Sequence, residues 1–128
     1  MSLRKHSIAA FSIALVLAAC GGSQAGGDPV AGEEIFRTKL EDEPGRHACS
    51  ECHSLGAISP YAPPVSFIGK DAGGRVEGMS AEDYLRQSII DPSAFIAEGY
   101  RDNIMPKVYG EILTEEEIDH LIAYLLTQ

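Results

Sequence analysis

The feature that most constrains this chain is the pentapeptide Cys49-Ser50-Glu51-Cys52-His53. Its pattern, Cys-x-x-Cys-His, is the attachment signature of a c-type haem. Two intervening residues let one turn of backbone present both sulfurs to one edge of the ring, where each sulfur forms a thioether. The histidine follows directly, so its imidazole is placed to bind the iron. A chain with this signature is expected to fold around a large, flat, covalently held group.

Two other chemistries use a close pair of cysteines. A structural zinc site needs four ligands, and the sequence has no second cysteine pair at short spacing. A thioredoxin-like redox pair follows a buried strand, whereas the residues before this pair, 41–48, are polar and include Pro44-Gly45. The local sequence therefore favours haem attachment.

The N-terminal residues resemble the signal of a bacterial lipoprotein. Arg4 and Lys5 precede an apolar run over residues 8–19 that is too short for a comfortable membrane span. The run ends in Leu17-Ala18-Ala19-Cys20, which resembles a lipobox. The resemblance implies cleavage before Cys20 and a lipid on its sulfur. The alternative is an ordinary secretory signal in which Cys20 is incidental.

This reading divides the chain into three parts. We predict a signal peptide at 1–19, a lipidated Cys20 with a flexible glycine-rich linker at 20–27, and one folded domain at 28–128. Lipid on one cysteine and haem on two would use all three cysteines. Loss of the signal's two cations would take the formal net charge from −9 to −11. Such an acidic chain disfavours nucleic acid as a partner and favours docking to a basic surface.

Apolar periodicity and capping signals predict an all-α domain. Asp28-Pro29 starts a helix that runs to about Leu40, Ser80 caps a second helix, and Thr114 with Glu117 forms a capping box for the last. The predicted apolar faces are Gly32, Ile35, Phe36 and Leu40 in the first helix, Tyr84, Leu85, Ile89 and Ile90 in the second, and Ile118, Leu121, Ile122 and Leu125 in the last, with Tyr124 on its flank. A glycine inside the first helix suggests that another helix crosses close to it.

Residues 54–79 are predicted to form a long irregular segment, because prolines and glycines punctuate them throughout. A loop of this length is unusual in a small domain unless it packs on something other than itself. We expect Leu55, Val65, Phe67 and Ile68 to pack on the haem.

The second axial ligand of the iron has four candidates in the sequence, namely Met79, Met105, His47 and His120. His47 lies too near His53 in the chain to reach the opposite side of the haem, and we expect His120 to face solvent among acids. Met79 adjoins a helix start, where an apolar residue often packs as a hydrophobic staple. Met105 lies in a predicted loop that the following proline stiffens, although filling the core is an ordinary role for methionine. We predict His53/Met105 ligation, which raises the reduction potential relative to two histidines.

Together these segments resemble the class I cytochrome c domain over about residues 29–127. The resemblance rests on the first helix with Gly32 and Phe36, on the pentapeptide at 49–53, on Pro63-Pro64, on the segment 84–89, on Gly99-Tyr100, on Met105-Pro106, and on the last helix with Leu121 and Tyr124. It implies three to five helices around one covalent haem c, with the N- and C-terminal helices crossing at the glycine.

Carried over residue by residue, the resemblance implies that Cys49 and Cys52 attach the haem and that His53 and Met105 bind its iron. In the family a proline carbonyl holds the other nitrogen of the proximal imidazole. We take Pro64 as that proline, with its neighbour Pro63 as the alternative. The choice is open because the sequence around this pair departs from the family's usual Gly-Pro.

With both axial positions filled, the expected function is outer-sphere transfer of single electrons, without enzyme activity. The expected setting is a bacterial membrane, with the protein lipid-anchored and facing the periplasm or the cell exterior. It would be a tethered carrier or a subunit of a respiratory or photosynthetic electron-transport complex, with redox proteins as partners. The architecture also resembles the monohaem cytochrome subunit of alternative complex III. Two alternatives stay open: a haem enzyme or a gas or redox sensor with a labile Met105, and a haem-free lipoprotein whose Cys-x-x-Cys-His is incidental.

Overall fold

A computed structural model describes residues 26–38 and 47–128 of the chain. Within these residues the fold is all-α, with no strand. The helices are α1 (Pro29–Arg37), α2 (Cys49–Cys52), α3 (Ile68–Asp71), α4 (Ala81–Ile90), α5 (Tyr109–Ile112) and α6 (Glu115–Leu126), and a 3₁₀ turn, Ala72–Gly74, follows α3. The predicted signal peptide and the lipidation of Cys20 lie outside the described residues. No helix in the described part of the chain is both long enough and apolar enough to cross a bilayer.

Side-chain caps start the three longer helices, as the sequence predicts. The Asp28 carboxylate accepts a hydrogen bond from the Val30 backbone N–H at 2.8 Å, and Pro29 occupies the first turn. Helix α1 ends at Arg37, earlier than the predicted end near Leu40, because Thr38 turns to an extended backbone (φ −84°, ψ 128°). Leu40 itself lies outside the described residues.

The caps of α4 and α6 are confirmed. The hydroxyl of Ser80 accepts a hydrogen bond from the Asp83 N–H at 3.0 Å. At α6 the Thr114 hydroxyl accepts from the Glu117 N–H at 3.2 Å, and the Glu117 carboxylate accepts from the Thr114 N–H at 2.8 Å. These reciprocal bonds satisfy backbone donors that the helix itself cannot pair.

Helices α1 and α6 approach each other most closely at Gly32. A Cβ at this position would overlap the carbonyl oxygen of His120 and lie 2.8 Å from Tyr124 Cβ. Four residues on, the Phe36 ring packs on the Tyr124 ring, with centroids 5.3 Å apart. The predicted role of this glycine is therefore confirmed: only a residue without a side chain lets the two backbones touch.

The expectation that His120 faces solvent is wrong. Its side chain is only 22% exposed, and its Nδ1 accepts a hydrogen bond from the Asp28 backbone N–H at 2.8 Å. The contact pairs a donor at the start of α1 that the helix leaves unsatisfied. His120 thus helps to fasten the N-terminal helix to the C-terminal one.

The core is formed where α4 and the segment before α3 pack against the α1–α6 pair, with α5 packed on α4. Its buried residues are Phe36, Val65, Ala72, Tyr84, Leu85, Ile89, Tyr109, Leu113, Ile118, Leu121, Ile122, Tyr124 and Leu125. The predicted apolar faces of α4 and α6 are therefore buried, except for Ile90, which is 43% exposed at the end of α4. On the surface, the Arg86 guanidinium links α4 to α6 through Glu115, at 2.9 Å, and Asp119.

The segment 54–79 is more regular than predicted. It contains α3 and the 3₁₀ turn, and Gly69 of α3 lies so close to the end of α6 that a Cβ there would overlap the Leu126 carbonyl oxygen. The described residues form six α-helices, beyond the three to five expected, because α2, α3 and α5 are single turns. Such short turns depend on tertiary packing rather than on helix propensity.

Candidate functional site

An apolar cleft opens between α1, α4, α6 and two long loops, 54–79 and 91–108, and we call it the central cleft. Its empty volume is about 1150 Å³, counting the space at its open mouth. Its apolar lining includes Phe36, Val65, Ile68, Leu85, Ile89, Leu113, Leu121 and Leu125. Cys49, His53 and Met105 line the same cleft. The fold therefore brings together most of the residues that the sequence singled out, along one apolar cleft.

His53 is held in one orientation by a backbone carbonyl. Its Nδ1 lies 2.9 Å from the carbonyl oxygen of Pro63. A carbonyl can only accept, so Nδ1 carries the proton and Nε2 keeps its lone pair. The imidazole is therefore prepared to bind a metal through Nε2.

The assignment of this hydrogen bond to Pro64 is wrong, because the acceptor is Pro63. The residue before a proline is held extended, so the carbonyls of Pro63 and Pro64 leave the chain in different directions. A second bond, from the Val65 N–H to the Ser54 carbonyl at 2.9 Å, fixes the segment beside His53. Pro64 still lines the central cleft.

Burial keeps the two ionisable groups at the inner edge of the cleft neutral. Loss of solvent lowers the pKa of His53, and the hydrogen bond to Pro63 offsets part of this effect. Burial also raises the pKa of the Cys49 thiol to about 11. A neutral imidazole is the form that binds a metal.

Helix α2 presents the two cysteines on one turn. The His53 N–H closes this turn by donating to the Cys49 carbonyl at 2.8 Å. Neither Cys49 nor Cys52 forms a disulfide within the described part of the chain. Cys52 lines a smaller cavity that adjoins the central cleft and shares Cys49, His53 and Met105 with it. Helix α2 therefore presents two free thiols next to His53.

Of the four candidates for the second axial position, only Met105 lines the central cleft among the described residues. Met79 packs against the core beside α4, and His47 bonds through Nδ1 to the Glu51 carboxylate at 2.8 Å. His120 lies at the α1–α6 contact. The fold thus removes three of the four candidates from the cleft.

The loop that carries Met105 is braced by its own polar groups. The Ser93 hydroxyl donates to the Asp102 carboxylate, which also accepts from the Asn103 N–H at 2.6 Å. These bonds lower the pKa of Asp102, the bond from Ser93 most strongly. Asn103 takes the left-handed conformation (φ 62°), which asparagine tolerates better than most residues. These hydrogen bonds therefore hold the backbone in place just before Met105.

Two of the four loop residues expected to pack on the haem lie outside the lining of the central cleft. Val65 and Ile68 line the central cleft as predicted. Leu55 is 42% exposed, Phe67 is 70% exposed and neither lines the cleft, so their packing on the haem stays a prediction. Phe67 precedes α3 in a left-handed conformation (φ 65°). An apolar residue in a loop is thus no guide to which side of the loop it occupies.

Tyr109 is a site residue that the sequence reasoning missed. It is buried in α5, lines both cavities, and donates its hydroxyl to the His47 carbonyl at 2.8 Å. Burial raises its pKa, and the neighbouring Cys49 adds to this effect. This hydrogen bond connects α5, which follows Met105, to His47, two residues before α2 begins. Its only sequence signal is a tyrosine shortly after Met105-Pro106.

The family model for cytochrome c matches residues 29–128 of the chain. A search of curated proteins finds no match. The match includes every described residue from Pro29 onward. The chain therefore belongs to the cytochrome c family, and its domain is a class I c-type cytochrome with an all-α fold. Its cofactor is covalently attached haem c, and its function is haem-based electron transfer.

The residues of the central cleft fit that cofactor. The cleft is apolar, Cys49 lines it while Cys52 lines the adjoining smaller cavity, and His53 keeps Nε2 available. This set of donors matches the chemistry of covalent haem attachment. Because the family binds haem c covalently, we reject a zinc site, a thioredoxin-like redox pair and a haem-free lipoprotein as explanations of the cysteine pair.

Proposed function

We propose that this protein is a lipid-anchored monohaem cytochrome that transfers single electrons, with His53 and Met105 as the axial ligands. The observation that carries the proposal is that His53 and Met105 line one apolar cleft while Met79, His47 and His120 lie outside it. When bound, haem c supplies an iron that is reversibly oxidised and reduced by one electron. Cys49 and Cys52 would hold the group covalently.

The chain's own residues set the conditions for this transfer. Pro63 keeps the His53 imidazole in one tautomer and one orientation, so that Nε2 serves as the ligand. The braced loop before Met105 limits how far the thioether can move. Apolar side chains of α4 and α6 exclude water from the cleft. A thioether ligand and a dry site both favour a higher reduction potential.

Electron transfer without enzyme activity follows from the same arrangement. With His53 and Met105 both committed to the iron, the chain leaves no axial position for a substrate or a gas. Members of this family are typically electron carriers. The proposal is therefore outer-sphere transfer to and from partner redox proteins.

The setting that we propose is the surface of a bacterial membrane, facing the periplasm or the cell exterior. It is supported by the sequence of the first 27 residues, with Cys20 as the lipid attachment point. The domain begins at Asp28, which is fastened to His120 of α6. A short linker ahead of Asp28 would keep the domain close to the membrane. Its partners would be redox proteins, either diffusing or as subunits of a complex such as alternative complex III.

The ligand proposal is tested with Met105→Ala and the matched control Met79→Ala in the haem-loaded protein. Met105→Ala should abolish the weak far-red Met–Fe(III) charge-transfer band and lower the reduction potential. Met79→Ala should leave both unchanged, because Met79 packs against the core away from the cleft. Loss of the band in Met79→Ala instead would overturn the assignment.

The anchor is tested separately with Cys20→Ala in the full chain. The variant should appear as a soluble product or as an uncleaved precursor. A processed variant that fractionates with membranes as the wild type does would refute the lipid as the main tether.

A further inference from the structure

The lining of the central cleft has a charge opposite to that of the chain. The sequence contains 19 Asp and Glu against 10 Lys and Arg, for a net charge of −9. Among the described residues that line the cleft, however, none is an Asp or a Glu, while Arg75 and Arg101 are both present. Both arginines are exposed, and their positive charge complements an anionic, solvent-facing part of whatever fills the cleft.

Neither Arg75 nor Arg101 is paired with a carboxylate among the described residues. The other described arginines, Arg37 and Arg86, form ion pairs with carboxylates. Arg75 and Arg101 take part in no ion pair or side-chain hydrogen bond with the described residues. In a chain with so many acids, two guanidinium groups without a carboxylate partner are available to bind one from outside the protein.

The acid next to Arg101 in the sequence is bonded to other groups. Asp102 follows directly in sequence, but its carboxylate accepts from Ser93 and from the Asn103 N–H. Arg75 follows the 3₁₀ turn at the other long loop, and its backbone N–H is bonded to the Ala72 carbonyl at 3.2 Å. The two cations thus line one cleft from separate segments, and neither guanidinium donates to a side chain in the described part of the chain.

We propose that Arg75 and Arg101 bind the two carboxylate groups that haem c retains. A guanidinium presents parallel N–H donors that match a carboxylate in a bidentate pair. Such pairing would hold the two carboxylates at the arginines and bring positive charge close to the haem. Because nearby positive charge disfavours the oxidised form, both arginines would raise the reduction potential. The inference rests on the family's haem c and is independent of Met105 ligation.

The test compares Arg75→Gln and Arg101→Gln with the control Arg37→Gln in the haem-loaded full chain. Arg37 is exposed, paired with Glu33 and outside the cleft lining. Each cleft variant should shift the redox equilibrium with a partner of fixed potential about two- to tenfold toward the oxidised form. Redox-difference infrared spectra, with ¹³C in the haem carboxyls, should show shifted carboxylate bands in both cleft variants and unshifted bands in the control.

The carboxylate bands separate direct pairing from a general charge effect. A changed potential with wild-type bands would overturn the proposal, as would bands and potentials equal to those of Arg37→Gln. If either glutamine variant fails to accumulate with haem, R75K and R101K take its place. These keep the charge but not the forked geometry, and should shift the bands while changing the equilibrium less than about twofold. A wild-type protein without the far-red methionine band would refute Met105 ligation and leave this test intact.

Discussion

Replacing Gly32 with alanine tests the helix contact that supports one wall of the central cleft. In an exposed helix this change stabilises by about 1 kcal/mol, because alanine has the better helix propensity. Here the new Cβ would overlap the His120 carbonyl oxygen and lie 2.5 Å from the His120 carbonyl carbon. Both are backbone atoms, so a side-chain rotation cannot relieve the overlap and the helices must separate.

The magnitude follows from the balance of these two effects. Overpacking a well-packed contact costs about 1–3 kcal/mol, and a clash with backbone belongs at the upper end of that range. Subtracting the propensity gain of about 1 kcal/mol leaves a free energy of unfolding lower by about 2 kcal/mol. With a denaturant slope of about 2 kcal/mol per M, the urea midpoint should fall by about 1 M.

The assay is urea unfolding of the haem-loaded protein, followed by far-UV circular dichroism. Gly74→Ala is the matched control, because a Cβ at Gly74 has nothing within 4 Å. The control should keep the wild-type midpoint or exceed it slightly. A Gly32→Ala midpoint at or above the wild-type value would refute the argument that α1 and α6 require backbone contact at this glycine.

Two further predictions concern the loop before Met105 and the contact beside α2. Asp102→Asn replaces the charged carboxylate that accepts from the Ser93 hydroxyl with a neutral amide oxygen, and the weaker bond should lower the melting temperature at pH 7. Because that bond lowers the pKa of Asp102, its stabilising effect is present above the ordinary Asp pKa and is lost as the pH falls through the lowered one. The difference between variant and wild type should therefore shrink below about pH 3.9, and a difference that grows in acid would contradict this reasoning. Tyr109→Phe removes the donor to the His47 carbonyl and should lower the free energy of unfolding by about 0.5–1.5 kcal/mol in urea titrations. An unchanged midpoint would show that this bond adds no stability.

The longer helices could be predicted from sequence because their signals are local. Asp28, Ser80 and Thr114 each cap a helix through a donor two or three residues away. Helices α3 and α5 could not be predicted, because four residues contain no full apolar period. Their turns depend on neighbours distant in sequence, such as the Leu126 backbone against Gly69.

In the site, too, features set by neighbouring residues could be predicted, whereas features set by residues distant in sequence could not. The spacing of Cys49, Cys52 and His53 indicates the cofactor without any knowledge of the fold. The choice between the Pro63 and Pro64 carbonyls depends on the direction of the backbone, which residue identity does not specify. The role of His120 was missed for a related reason, because its partner Asp28 is 92 residues away.

The claim that His53 and Met105 together leave no open position on the iron is the centre of this account. The most direct measurement is rapid mixing of the native reduced protein with carbon monoxide, followed by absorption spectroscopy. We expect the spectrum of the reduced protein to stay unchanged on the millisecond-to-second timescale, with carbon monoxide binding only in Met105→Ala. Rapid binding by the wild type would contradict the account and favour a haem enzyme or a gas sensor with a labile Met105.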